Sequence, residues 1–286
     1  MLFSATKVQK TQQPTKEQQP NIIMTNPQHR LVLRITEHSL TFARPNAAAS
    51  EGLDFETFIP KSGISMAANL REAFANGHMH QERNGRILAL VEGAYMPIPI
   101  EDFNESTAEL IYSHSIDLKI GHTVMHAILP DMHCVVLFQV SKDLQQVLND
   151  NFVDVRILPL MLPLWTHLCR KSNGGIWRKL FVYFHDKHME LFSFDKNRFR
   201  FCNQYNGKRT ADNIFYILYA WQQMGLDSLH DELLICGNCP NPQETIDKLK
   251  QYVQKASLAT ASELLTLSEN NYEKELPFDL MPLFAG

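Results

Sequence analysis

Two stretches of the chain share one pattern of strand, polar turn and strand. In Arg30–Pro45, alternating apolar residues lead into the turn Glu37-His38 and continue after it. In Leu180–Phe194, the same alternation surrounds the turn Asp186-Lys187. Each stretch opens one half of the sequence, so we predict two related α/β domains. A paired fold of this kind usually holds a ligand in the cleft between its halves.

The size and composition of the chain are those of a globular protein with two domains. Its 286 residues are 44% hydrophobic and 20% charged, which is enough apolar material for two cores of ordinary size. The formal net charge of −4 arises from 31 acidic and 27 basic residues that are interleaved along the chain. Proteins that bind nucleic acid usually carry a basic face. We therefore expect neither nucleic acid nor an anionic membrane as a partner.

Cysteine usage and hydropathy predict a cytoplasmic protein. The five cysteines, an odd number spread along the chain, argue against a disulfide framework and for a reducing compartment. Residues 1–28 are polar and rich in Gln, Thr and Pro, which predicts a disordered tail without the apolar core of a signal peptide. The longest apolar stretch, Ile157–Cys169, contains two prolines and is too short to span a bilayer. Membrane insertion is not expected.

The strongest internal break is Ser172–Gly175 (Ser-Asn-Gly-Gly). We predict an N-terminal lobe at residues 29–174 and a C-terminal lobe at residues 175–286, each a mixed sheet flanked by helices. The elements predicted for the first lobe are helix 65–74, a hairpin of strands 87–92 and 95–98, helix 100–114, strands 123–129 and 134–140, a helix capped by Ser141, strand 153–158 and helix 160–170. The order of the last four predicts a βαβ unit with parallel pairing. Those of the second lobe are strands 180–184, 189–194 and 198–204, a helix from a Thr210 cap to Met224, strand 232–236 and helix 243–255.

Several runs of residues resemble one family of bacterial proteins of unknown function, common in Bacteroidetes-type bacteria. These runs are Ser65–Phe74, Val135–Phe138, Lys179–Asp186, Asn197–Asn203, Asp231–Leu234 and Pro277–Leu280. The similarity extends over residues 30–284. It implies a duplicated actin-like (ribonuclease-H-like) fold, α/β in class, related in layout to the pilus-assembly and secretion-platform members of the actin-like ATPase superfamily. The resemblance implies no known activity.

Members of that superfamily that hydrolyse nucleotides bind phosphate at both hairpin turns with loops of the Asp-x-Gly type. Glycine lets the backbone approach the phosphates, and the aspartate holds Mg²⁺ through water. The corresponding turns here, Thr36–Ser39 and His185–His188, contain no glycine. Glu37 and Asp186 keep an acid at each turn, and Gly237 stands where adenosine-binding members have a Gly-Gly pair. These three residues are the candidates for binding a ligand in the cleft; no cofactor is predicted, and ATP with Mg²⁺ stays open as an alternative.

A cysteine motif offers a second kind of chemistry. Cys236-Gly237-Asn238-Cys239 follows a predicted strand and precedes a predicted helix, which is where thiol oxidoreductases place a reactive pair. However, Pro240 and Pro242 delay the helix, and Cys236 continues the buried period of the strand. We interpret both cysteines as structural residues beside a turn.

The same motif is also half of a zinc site, but the remaining cysteines are isolated in the sequence. Two histidine pairs, His78 with His80 and His122 with His126, could face a metal. Such pairs are more often solvated side chains, so we predict no metal site. No arrangement for nucleophilic catalysis and no glycine-rich phosphate loop stands out, so no catalytic residue is predicted. Aromatic residues that alternate with basic ones over residues 181–201 could stack nucleic-acid bases, but they are equally typical of a strand with one buried face, which we favour.

The leading hypothesis is therefore a non-catalytic interaction or scaffold protein on a degenerate actin-like fold, with an unknown protein partner. The alternative is a nucleotide-binding ATPase-like enzyme with non-standard phosphate loops. The apolar segments Leu160–Trp165 and Met281–Phe284 are the first candidates for a partner surface, although apolar segments more often pack within their own chain. For Pro277–Phe284 we expect such docking on the body of the protein.

Overall fold

Two five-stranded sheets with the same strand order organise the protein. A computed structural model describes residues 30–46, 53–77, 85–172, 174–265 and 276–284. The first sheet has the order β3 (Leu53–Phe58), β2 (Leu40–Pro45), β1 (Arg30–Ile35), β4 (Arg86–Val91) and β8 (Asp154–Pro159). The second sheet has the order β11 (Arg198–Asn206), β10 (His188–Asp195), β9 (Lys179–His185), β12 (Glu232–Gly237) and β13 (Lys255–Leu258). In each sheet an antiparallel meander of three strands is followed by two parallel strands. The predicted fold class, a duplicated mixed α/β arrangement, is confirmed.

A third, smaller sheet is inserted between β4 and β8. It contains β5 (Tyr95–Pro99), β7 (Cys134–Ser141) and β6 (His122–Leu129), all antiparallel, with β7 in the middle. Two expectations are corrected here: β4 and β5 do not form a hairpin, and β7 and β8 do not belong to one βαβ unit. β4 is buried on both faces and lies between two parallel neighbours, whereas Pro97 and Pro99 lack the N–H groups that an interior strand needs and place β5 at an edge.

The helices within the described residues are α1 (Met66–Asn76), α2 (Ala108–Ser115), α3 (Lys142–Asn151), α4 (Leu162–Ser172), α5 (Thr210–Gln223), α6 (Pro242–Leu249) and α7 (Ala261–Leu265). Single 3₁₀ turns occur at Ile100–Asp102, Glu105–Thr107, Pro130–Met132 and Met281–Leu283. Ser141 caps α3 as predicted, because its hydroxyl accepts a hydrogen bond from the Leu144 amide at 3.4 Å. Thr210 does not cap α5: Arg209 holds the cap position and makes no capping bond. None of the described helices has the length and apolar content needed to cross a bilayer.

The predicted helix 243–255 is wrong in its second half. The helix α6 ends at Leu249, and the chain then forms strand β13, in which Ala256 pairs with Leu233 of β12. Val253 and Ala256 are buried in the same core as Leu249, so the apolar residues that suggested a continued helix reach that core through a turn and a strand. Strand β3, a segment for which the sequence pattern predicts no element, pairs along its full length with β2.

The C-terminal segment 276–284 packs on the body of the protein, as expected. Its residues Leu280, Met281 and Leu283 are buried in the same hydrophobic cluster as Leu160–Leu162 and Trp165. The two apolar segments that were candidates for a partner surface are therefore wrong as partner sites, because they bury each other. The tail predicted at residues 1–28 lies outside the described residues, as do His78 and His80.

Candidate functional site

The turn between β1 and β2 has its backbone amides occupied by the protein itself. Thr36 N donates to the carbonyl oxygen of Ser39 at 3.0 Å. The Thr36 hydroxyl accepts from the amides of His38 at 3.3 Å and Ser39 at 3.0 Å. The remaining amide, that of Glu37, donates to Glu92 Oε2 at 2.9 Å. The four N–H groups that could face a phosphate at this turn are thus already bonded, one of them to a carboxylate.

The sequence-predicted residue Glu37 contributes to this turn through its amide, while its side chain is exposed. The other acid, Asp186, occupies the turn between β9 and β10. Its φ of 47° is left-handed, a conformation that aspartate tolerates better than most residues. Its side chain is only 16% exposed, and Oδ2 accepts a hydrogen bond at 3.1 Å from Arg34 Nη2 of the first sheet. Asp186 therefore links the two large sheets.

Arg34 fills the space between the two turns. It lies on β1, is 3% exposed, and binds the fully buried carboxylate of Asp279 with two nitrogens, Nε at 2.9 Å from Oδ1 and Nη2 at 2.9 Å from Oδ2. Nη1 donates to Ser39 Oγ at 2.8 Å. The Tyr183 hydroxyl of β9 donates to Asp279 Oδ2 at 3.0 Å. A two-nitrogen contact of this kind is the strongest form of an ion pair, and here it fixes the C-terminal segment between the sheets.

The ionisation of this network follows from burial and from the neighbouring charges. Burial works against the charged guanidinium of Arg34, but the charge and hydrogen bonds of Asp279 outweigh it and raise the pKa of Arg34. Burial also works against a charged Asp186, yet the hydrogen bond from His185 and the charge of Arg34 hold the pKa of this carboxyl well below its usual range. Burial, together with the charge of Asp279, raises the pKa of Tyr183 well above its usual value. Arg34 and Asp186 are charged, and Tyr183 is a neutral donor.

His185 is surrounded by carboxylates. Its ring is 3% exposed, with Nδ1 3.4 Å from Asp186 Oδ2 and Nε2 3.3 Å from Glu190 Oε1. Burial disfavours the imidazolium, but the hydrogen bonds to Asp186 and Glu190 and the charge of Glu190 prevail and raise the pKa of His185 to about 10. Glu92 Oε1 lies 3.7 Å from Nδ1. The proton on His185 thus offsets part of the negative charge of these acids, as Arg34 does at Asp186.

Gly237, the third sequence-predicted residue, has a structural role at the end of β12. Its φ is 79°, and a Cβ at this position would lie 2.1 Å from the carbonyl oxygen of Phe184 and 2.7 Å from the ring of Tyr183. The next amide, Asn238 N, donates to that same carbonyl at 2.8 Å. The glycine is thus required by the close approach of β12 to β9.

A cavity of about 540 Å³ adjoins the Arg34 network. Both large sheets and the C-terminal segment line it, and its lining includes Thr41, Thr57, His185, Asn238, Thr260 and Phe278. The structure therefore brings Asp186 and Gly237 to one cavity and leaves Glu37 outside its lining.

The other candidate residues, the two cysteines of the motif and the histidine pair of β6, are not among the residues that line this cavity. Cys236 is buried with Sγ near the carbonyl oxygen of Val182, and burial raises the pKa of its thiol. Burial also raises the pKa of Cys239. His122 and His126 lie on β6 of the small sheet, where the His126 ring packs against Phe103.

Sequence reasoning missed the residues that dominate the site: Arg34, Glu92, Tyr183, His185 and Asp279. The usable signal was a charge inside an otherwise apolar run. Arg34 interrupts the apolar run 31–35 within β1, and Asp279 falls within the apolar run 277–284. A buried charge needs a buried partner of opposite charge. A basic residue in one apolar run and an acidic residue in another are therefore candidates for an ion pair.

The fold of this chain is that of the actin-like ATPases. A crystal structure from Bacteroides thetaiotaomicron VPI-5482, a protein with actin-like ATPase fold and unknown function, matches it with a TM-score of 0.77 at 21% identity. That match covers 91% of this chain and 96% of the other. A chain of the PilM-PilN type IV pilus biogenesis complex matches with a TM-score of 0.60 at 9% identity, over 90% of this chain and 97% of the other.

The family follows from the sequence itself. Residues 18–256 match the family described as "Protein of unknown function (DUF3822)", so the chain belongs to that family. No curated protein matches the chain in sequence. These matches confirm the predicted resemblance to a family of unknown function with an actin-like fold.

Proposed function

We propose that this protein is a non-catalytic interaction protein whose actin-like fold has lost its nucleotide chemistry. One observation carries the proposal: at the place between the sheets where the fold binds phosphates, Arg34 is bound to Asp279 and Asp186. Carboxylates of the protein itself thus bind the Arg34 guanidinium and an amide of the turn, which are the groups that would otherwise bind a phosphate.

Electrostatics oppose a triphosphate at this place. The carboxylates of Asp279, Asp186 and Glu92 face the space between the two turns. A phosphate chain would bring further negative charge next to them, and like charges at short range in a partly buried site are costly. Arg34 would have to give up the buried Asp279 to compensate, which would leave that carboxylate without its cation.

An actin-like fold that does not bind a nucleotide is compatible with a role in the assembly of a protein complex. One solved relative in fold is part of the PilM-PilN complex, and a partner protein, with neither nucleic acid nor membrane involved, is what we propose here. The cysteines at 134, 169, 202, 236 and 239 are all free thiols, which fits the reducing cytoplasm as the place of action.

The test combines nucleotide binding and partner binding. Isothermal titration of the full chain with Mg²⁺-ATP should give no binding heat at millimolar nucleotide, and the protein should show no ATPase activity above a buffer blank. Partners captured from native cells should be retained equally after ATP depletion and after addition of Mg²⁺-ATP. Micromolar ATP binding, hydrolysis, or a partner that requires ATP would overturn the proposal.

The cavity supports a second candidate, a nucleotide-binding enzyme with unusual phosphate contacts. Its volume of about 540 Å³ falls in the range of sites for small molecules, and its lining includes Thr41, Thr57 and Thr260. Such an enzyme would contact the nucleotide through these side chains instead of through turn amides. The same titration distinguishes the two, because this candidate predicts saturable binding that a Thr57→Val variant weakens.

A further inference from the structure

Four side chains with metal-binding atoms meet where the two large sheets face each other. Glu92 directly follows β4 of the first sheet, and His185, Asp186 and His188 belong to the β9–β10 turn of the second. Glu92 Oε1 lies 3.5 Å from His188 Nε2 and 3.7 Å from His185 Nδ1. Ligating atoms of Glu92, His185 and Asp186 all lie within 4.8 Å of one another. Glu92, His185 and Asp186 therefore form a compact set of three possible ligands that joins the two large sheets, and the His188 imidazole lies next to Glu92.

Glu92 has a buried oxygen without a donor. Its side chain is 10% exposed; Oε2 accepts the hydrogen bond from Glu37 N, but Oε1 accepts none from any residue that the structure describes. Buried carboxylate oxygens are normally satisfied by hydrogen bonds or cations. The unsatisfied oxygen points at the two imidazoles, which is where an ion would be held.

Acidic side chains outnumber the strong base at this place. Among the described residues, the guanidinium of Arg34 binds Asp186 and Asp279 but neither Glu92 nor Glu190, whose carboxylates lie beside His185.

The spacing fits a small ion with mixed nitrogen and oxygen ligands. Bonds of about 2.0–2.2 Å from Zn²⁺ to imidazole nitrogen and carboxylate oxygen give a tetrahedron with edges of roughly 3.3–3.6 Å. Three of the six distances between ligating atoms, 3.4, 3.5 and 3.7 Å, are close to these edges. Mg²⁺ and Ca²⁺ prefer six or more oxygens, whereas imidazole suits zinc and its first-row neighbours.

His185 is already oriented for such a role. Its Nε2 faces Glu190 Oε1 at 3.3 Å, and the Glu190 side chain is 2% exposed. When a histidine donates its distal N–H to a buried carboxylate, its other nitrogen is left as the ligand atom. In His185 that atom is Nδ1, which faces Glu92 and Asp186.

We propose that Glu92, His185, Asp186 and His188 form a binding site for a divalent first-row transition metal ion, for which Zn²⁺ is the probe. The ion would join the first sheet to the second directly through protein ligands. The site goes beyond the proposed interaction role and departs from the sequence-based expectation of no metal, which considered only the cysteines and other histidines.

The test is a Zn²⁺ titration of the full chain, freed of any affinity tag, stripped with a chelator and dialysed. Calorimetry should show one Zn²⁺ per chain, and Co²⁺ should give the visible absorption of a tetrahedral N/O site. Glu92→Gln and His188→Gln should each weaken Zn²⁺ binding at least tenfold, since each removes a ligand. Thermal unfolding of each variant in chelator shows whether its fold is intact, and the partly exposed His188 is the safer position if Glu92→Gln unfolds.

A double variant at the other histidine pair, His122→Gln with His126→Gln, is the matched control and should bind Zn²⁺ as the wild type does. Loss of binding in Glu92→Gln alone still supports the site, with His188 outside it. The proposal is overturned if the wild type binds no stoichiometric Zn²⁺, if a folded Glu92→Gln variant binds as tightly as wild type, or if the control variant loses the site.

Discussion

Arg34 and Asp279 form a buried ion pair between residues that are 245 positions apart in the chain. Both side chains are almost completely buried, so the pair is hardly screened by solvent. Its geometry, with two nitrogens on one carboxylate and one further donor, the Tyr183 hydroxyl, satisfies the conditions under which a buried pair is tolerated.

Replacing Asp279 by asparagine should lower the free energy of unfolding by about 3 kcal/mol, because it leaves the Arg34 guanidinium buried opposite a neutral group. Urea denaturation followed by circular dichroism measures this. The matched control is Asp131→Asn, which breaks an exposed pair with Arg170 of similar length, 3.0 Å, and should cost at most about 1 kcal/mol. Equal losses in the two variants would show that the cleft pair has no special role.

Gly237 gives a second prediction at this scale. Gly237→Ala should destabilise the protein by roughly 2–5 kcal/mol, the sum of a left-handed alanine and of a Cβ forced against the Phe184 carbonyl. Gly63→Ala is the control: its φ is similar, 85°, but nothing lies within 4 Å of its Cβ, so about 1–2 kcal/mol is expected. The urea midpoints of the two variants should therefore differ. If they coincide, the close contact at Gly237 relaxes at little cost.

At the scale of elements, the apolar pattern of a segment predicts whether it forms a helix or a strand, but it does not predict which strand it pairs with. The meander β9–β10–β11 and helix α5 were predicted from apolar alternation and helical spacing, because those patterns depend on each element's own faces. The pairing of β4 with β8 across 62 inserted residues, and the placement of β5 in another sheet, depend on distant contacts that no local pattern encodes. For the same reason the sequence placed Glu37 and Asp186 at the two hairpin turns, while it gave no sign that the distant Asp279 lies near them.

The cysteines at the end of β12 should be unreactive. Burial raises the pKa of both Cys236 and Cys239, so the thiolate fraction at neutral pH is smaller than in a free cysteine and reaction with a disulfide reagent is slower. With a colorimetric disulfide reagent at pH 7.5, followed by peptide mass spectrometry, both residues should react far more slowly in the native protein than in guanidinium chloride. Fast native labelling of the pair would favour the oxidoreductase interpretation instead.

At the scale of the whole molecule, the two sheets keep the plan of the actin-like fold, and the C-terminal segment contacts both of them. Arg34 from the first sheet, Tyr183 and Asp186 from the second, and Asp279 from the segment meet at one point. The domain boundaries at residues 29–174 and 175–286 stay predictions. The network links both large sheets and the segment at this point.

The most direct test of this account is a crystal structure of the full chain grown with millimolar Mg²⁺ and a non-hydrolysable ATP analogue. We expect the Glu37 amide to remain bonded to Glu92, Arg34 to remain on Asp279, and no phosphate density between the two turns. Phosphate oxygens within hydrogen-bond distance of the amides of residues 36–39, with Arg34 turned toward them, would contradict the account.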